Sequence, residues 1–136
     1  MNTLSDVSDE RGSLLVAGLL FTIALLMAVG ASVDLGRAFI ARRELSALAD
    51  QAALSGAQQL DLTTLHQGRL ALNPTNAVDA ADQALTGQTG LTVQISATND
   101  NVDVHIQRRL TTVFLPLVGI NSLVLRAAVI ASPLRP

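Results

Sequence analysis

His66 and His105 are the only imidazoles in this chain of 136 residues, which contains no cysteine. A zinc site wants His or Cys at short spacing, as in HxxxH or CxxC, and neither pattern occurs. His105 falls on the polar side of an alternating segment, so its expected surroundings are solvent. Serine, histidine and aspartate are all present, but no serine sits in a GxSxG elbow and no other nucleophile motif is visible. Gly87, Gly90 and Gly119 read as isolated turn glycines, with no GxGxxG or GxxxxGKS/T phosphate cradle around them. Adhesion motifs of the DxSxS type that would hold a metal are also missing. The expectation is therefore no catalytic residue, no cofactor and no metal. Asp34 and Arg37 are the charges with a reading of their own, because they end a long uncharged run. Spaced i, i+3, they can pair with each other, and Arg42, Arg43 and Glu44 add a charged collar. The plain reading is a pair of boundary charges that stop the apolar run and fix its depth in a bilayer. The sharper one is that Asp34 meets a charged group on a partner helix.

The run they end is Leu14 to Val33, LLVAGLLFTIALLMAVGASV, which has no charge. As a helix rising about 1.5 Å per residue it is about 30 Å long, the hydrocarbon thickness of a bilayer. Its Leu, Val, Ile and Phe residues favour insertion by about 5 kcal/mol against small costs from Gly18, Thr22, Gly30 and Ser32. The expected partner of this surface is membrane lipid. A secretory signal wants a positive n-region, a shorter apolar core and a small-residue cleavage site. Here the first is weak and the second too long, although Gly30 to Ser32 offers small residues for a cut. Cleavage there would release a small secreted domain.

Composition narrows the rest. The chain is 49% hydrophobic and 2% aromatic, so any core is aliphatic and alanine-rich. The net charge is -2, and the nine basic residues, all arginine, are scattered, which leaves no basic surface with interleaved aromatics for nucleic acid. No small-molecule substrate is expected either.

In chain order, residues 1–12 are short, polar and acidic and read as a flexible tail. Helical spacing then continues past the apolar run without a proline, with Leu45, Leu48, Ala49, Ala52, Ala53, Gly56 and Leu60 on one face. One helix is predicted over 13–60, its first half in lipid and its second half amphipathic. Within it Ala24, Ala28, Ser32 and Gly36 form a stripe spaced by four, which suits close approach of another helix. Residues 61–136 are expected to form a small α+β domain. Asn73-Pro74 supplies an N-cap and a first-turn proline for a short helix ending near Gly87. LTVQISA (91–97) and VDVHIQRRL (102–110) alternate around a TNDN turn and predict an antiparallel hairpin. TTVFLPLVGI (111–120), broken by Pro116, is too short to span and reads as a helical turn or a buried connection. SLVLRAAVIAS (122–132) predicts a third strand whose two apolar faces suit the centre of the sheet.

ERGSLLVAGLLF, followed by VDLGRAFIARRELSALADQAALSGA, resembles the N-terminal module of the TadE/TadG-like proteins of bacterial Flp (tight adherence) pilus systems. VFLPLVGINSLVLRAAVIAS resembles, more loosely, the closing segment of their short members. The resemblance implies a pilin-like, non-enzymatic assembly or secretion component: a single-pass protein of the bacterial cell membrane with an extracytoplasmic C-terminal domain. It also implies contacts with other pilus or secretion subunits through the N-terminal helix, as a homo- or hetero-oligomer. Gly12 is the candidate processing site, although a prepilin site has Glu five residues after the cut and Ala17 stands there. Arginine counting runs against this orientation, since Arg37, Arg42 and Arg43 follow the span and only Arg11 precedes it. A membrane-anchored sensor or interaction module is the alternative function.

Overall fold

The computed structural model describes residues 4–133, with side chains from residue 12 onward. Helix α1 runs over Leu4–Ala57. It starts ahead of the expected Ser13: no proline or glycine interrupts residues 4–11. Residues 1–3 of the expected tail lie outside the described residues. The remaining elements are α2 (Leu62–His66), α3 (Pro74–Ala84), β1 (Leu91–Ala97), β2 (Val102–Thr111), a 3₁₀ turn (Leu115–Val118) and β3 (Ser122–Ala131). A long apolar helix followed by a small three-stranded antiparallel sheet makes the fold α+β.

The chain divides into two compact units. The first joins α1 up to Gly36 with Thr112–Asn121. Every α1 residue from Gly12 to Val29 is exposed, including Leu15 at 76% and Leu14 at 72%. Gly12–Ala57 is the one stretch among the described residues long and apolar enough to cross a membrane. Two hydroxyls in its apolar half bond back to the helix: Thr22 Oγ1 donates to the Gly18 carbonyl at 2.9 Å and Ser32 Oγ to the Ala28 carbonyl at 2.8 Å. Such back-bonds leave no hydroxyl proton facing an apolar surround.

The second unit holds α1 from Arg37 onward, everything up to Thr111, and the chain from Ser122. The sheet is a meander in the order β1-β2-β3. Val93 pairs with Ile106 and Ile95 with Val104, and on the other side Val104 pairs with Val129 and Ile106 with Ala127. Val102, Val104 and Ile106 of β2 are fully buried against Leu45, Ala49, Ala52 and Ala53 of α1 and Ala77 and Ala81 of α3. Both helices thus cover one face of the sheet. The alanines allow close packing, and Gly56 allows the closest: a Cβ there would lie 2.8 Å from the Ala77 carbonyl oxygen. Asn73 caps α3 by accepting from the Asn76 N–H at 3.2 Å, and Asp61 caps α2 through the Thr63 N–H at 2.8 Å.

The third strand differs from expectation. It is an edge strand, because two consecutive antiparallel connections put β2 in the middle. Leu125, Ala127 and Val129 pack on the core, whereas Val124 and Ile130 on the opposite face are exposed. Their apolar character therefore reports no second covering layer.

Candidate functional site

The site worth building from its atoms is where Asp34 meets the connection between β2 and β3. A carboxylate on an apolar helix has few places to go, and this one is 1% exposed. Val113 N–H donates to its Oδ1 at 2.9 Å and to Oδ2 at 3.1 Å. Phe114 N–H donates to Oδ2 at 2.7 Å, and Leu115 N–H to the same oxygen at 2.8 Å. These amides open the 3₁₀ turn Leu115–Val118, whose N-cap residue, Phe114, has no side-chain acceptor to offer. Asp34 is thus a cap delivered from another part of the chain. It meets the orphan donors and the positive end of the turn with a full negative charge.

Gly30, one helical turn before Asp34, lets the connection come this close. It is buried, and a Cβ on it would stand 2.7 Å from Phe114 Cγ and Cδ1 and 2.9 Å from Phe114 Cβ. The far wall is held by Thr112, whose Oγ1 donates to the Ile120 carbonyl at 2.6 Å while its N–H donates to Asn121 O at 3.2 Å. Gly119, at φ 87°, ends the turn in the left-handed region that glycine adopts without strain. Between the turn and α1 lies an open apolar groove of about 580 Å³, walled by residues that include Ile23, Met27, Val33, Leu115, Leu117 and Val118. Nothing in it can transfer a proton or hold an anion; its chemistry is dispersion contact.

The other expected residues are placed as follows. Ala24, Ala28, Ser32 and Gly36 are exposed, and at 3.6 residues per turn their stripe lies nearly half a turn from Gly30 and Asp34. The internal docking of the chain therefore leaves that stripe uncovered. Gly12 and Arg37 are exposed. His66 Nδ1 lies 2.6 Å from the Leu62 carbonyl oxygen, and His105 stands on the open face of the sheet, 3.1 Å from Asp103. Among the described residues no three His, Asp or Glu side chains gather as a metal site would require.

Sequence reasoning missed Gly30, Phe114 and the capture of the turn by Asp34. The available signal was complementary need: a lone acid ending an uncharged helix, and a proline-containing apolar turn with no capping side chain of its own. Comparison with known families adds the context. Residues 12–59 match the Tad family, TadE/G-like Flp pilus assembly. The Tad match thus covers the apolar stretch of α1, Asp34 and the packing face that continues to Gly56, and it stops before α2. No curated protein and no solved structure matches the chain.

Proposed function

We propose that this protein is a non-enzymatic, single-pass membrane subunit of a Flp/Tad-type pilus assembly or secretion apparatus. The observation that supports this most is the coincidence of the Tad match with a helix whose first half exposes an uninterrupted apolar surface. In this reading α1 anchors the chain in the bacterial cell membrane, and the unit built on the sheet faces outward from the cytoplasm. The stripe Ala24, Ala28, Ser32 and Gly36 meets a helix of another subunit or of a second copy, since small residues let helix backbones approach closely in lipid. Gly12 is the candidate processing position. Asp34 and Arg37 mark the depth at which the span ends.

The test uses the full chain, tagged at its C-terminus, in bacterial membranes. The chain should resist alkaline extraction, and protease added outside should reach the sheet domain. An Ala28→Cys variant, with no native cysteine to interfere, should crosslink to itself or to a pilus-assembly subunit. The assembly ATPase or its membrane platform should co-purify with the chain. A soluble product lacking everything up to about Ser32 would replace this reading with that of a secreted small domain. Full protection from external protease would reverse the orientation.

A further inference from the structure

The connection between β2 and β3 has properties that a water-exposed loop has no need of. Residues 111–121 contain no charge, and Leu117, Val113 and Val118 are exposed at 74%, 59% and 54%. Most amides beneath these side chains are nevertheless bonded within the chain. Thr112 donates to Asn121, Leu117 to Phe114, Gly119 to Pro116 and Ile120 to Leu115, at 3.0 to 3.2 Å. Val113, Phe114 and Leu115 donate to Asp34, and Pro116 has no N–H to place. Exposed apolar side chains over amides that are mostly bonded within the chain suit hydrocarbon, because lipid supplies no partner for a free amide.

Position agrees with composition. The turn lies alongside residues 23 to 33 of α1, inside the uncharged run Leu14–Val33, and Phe114 seats on Gly30. Its exposed surface therefore continues the lipid-facing surface of the helix. Residues 113–120 carry no charged or amide side chain, and the one exposed amide of the connection, Asn121, stands at its end beside β3.

We propose that residues 112–121 are a second membrane-embedded element: a turn that enters the leaflet beside α1, contacts lipid acyl chains through Leu117, Val118 and Val113, and is pinned there by Asp34. The inference rests on the reading of α1 as a span, and the experiment separates the two. The chain has no tryptophan, so each substitution creates a sole emitter. Leu117→Trp, Leu20→Trp and Gln94→Trp variants of the full chain are reconstituted in phosphatidylethanolamine/phosphatidylglycerol vesicles with and without acyl-brominated lipid. Leu20→Trp should lose most of its emission to the brominated chains and Gln94→Trp, on the open face of the sheet, almost none. Leu117→Trp should follow Leu20→Trp, with blue-shifted emission and little response to aqueous iodide. Iodide quenching of Leu117→Trp with no loss to brominated lipid would overturn the inference while leaving the span intact. A Leu117→Trp emitter shielded from both quenchers would overturn it in favour of a protein partner. Loss of bromine quenching at Leu20→Trp as well would overturn the span itself.

Discussion

Replacing Asp34 by Asn is the most informative perturbation, because it keeps size and shape and removes only charge and one acceptor. The amide oxygen can take the Oδ2 position and still accept from Phe114 and Leu115, bonds of 2.7 and 2.8 Å in the native site. The NH₂ then takes the place of Oδ1, so Val113 N–H loses its 2.9 Å bond, meets a donor there and keeps only the longer 3.1 Å contact to the Oδ2 position. Losing the shorter bond to a charged acceptor costs about 1.5–3 kcal/mol, and neutralising the acceptor of Phe114 and Leu115 roughly 0.5–1 kcal/mol each, a total of about 2.5–5 kcal/mol. At 1.36 kcal/mol per factor of ten, the docked state of the turn weakens roughly seventy- to several-thousand-fold. Hydrogen exchange of the full chain in nanodiscs reads this directly. The Val113, Phe114 and Leu115 amides should lose protection together in Asp34→Asn. The Val104 and Ile106 amides, in the central strand, should keep theirs. If the three amides of the variant exchange within a factor of about ten of the native chain, the cap does not hold the turn and the account of Asp34 fails.

Gly30→Ala should undock the same turn by about 1–3 kcal/mol, since rotating the Phe114 ring does not clear its Cβ from the added methyl, and this overlap outweighs the helix propensity gained; exchange at residues 113–115 checks it. Gly56→Ala drives a methyl against the Ala77 carbonyl oxygen and Val102, so the sheet unit should lose about 1–3 kcal/mol in urea unfolding followed by strand signals. Asn73→Ala removes the α3 cap and should cost about 1 kcal/mol by the same measurement, with Asn73→Asp close to native.

Much of this architecture is legible because it depends on near neighbours. The apolar run, the Asn73-Pro74 helix start and the alternation of 91–97 and 102–106 each declare themselves within a dozen residues, and the elements stand where those patterns point. The edge position of β3 was not legible in that way: an apolar residue such as Ile130 looks the same whether a second layer covers it or not. Gly30 is the clearest case of hidden meaning. Within its own helix it is only a weak residue, and its purpose comes from Phe114, far along the chain. Asp34 likewise reads as a boundary charge until the amides of 113–115 are placed beside it. Local pattern reports periodicity and propensity; it does not report which distant backbone lacks an acceptor.

The clamp also sets an order of events during synthesis. Asp34 precedes Val113 by 79 residues, so at roughly 5–20 residues per second the helix is made several seconds before the amides that it caps exist. In the proposed reading of α1 as a span, the acid reaches the bilayer before its capping amides are made. On that reading insertion is a two-stage process, and its second stage, arrival of the turn, locks the depth that the first left adjustable.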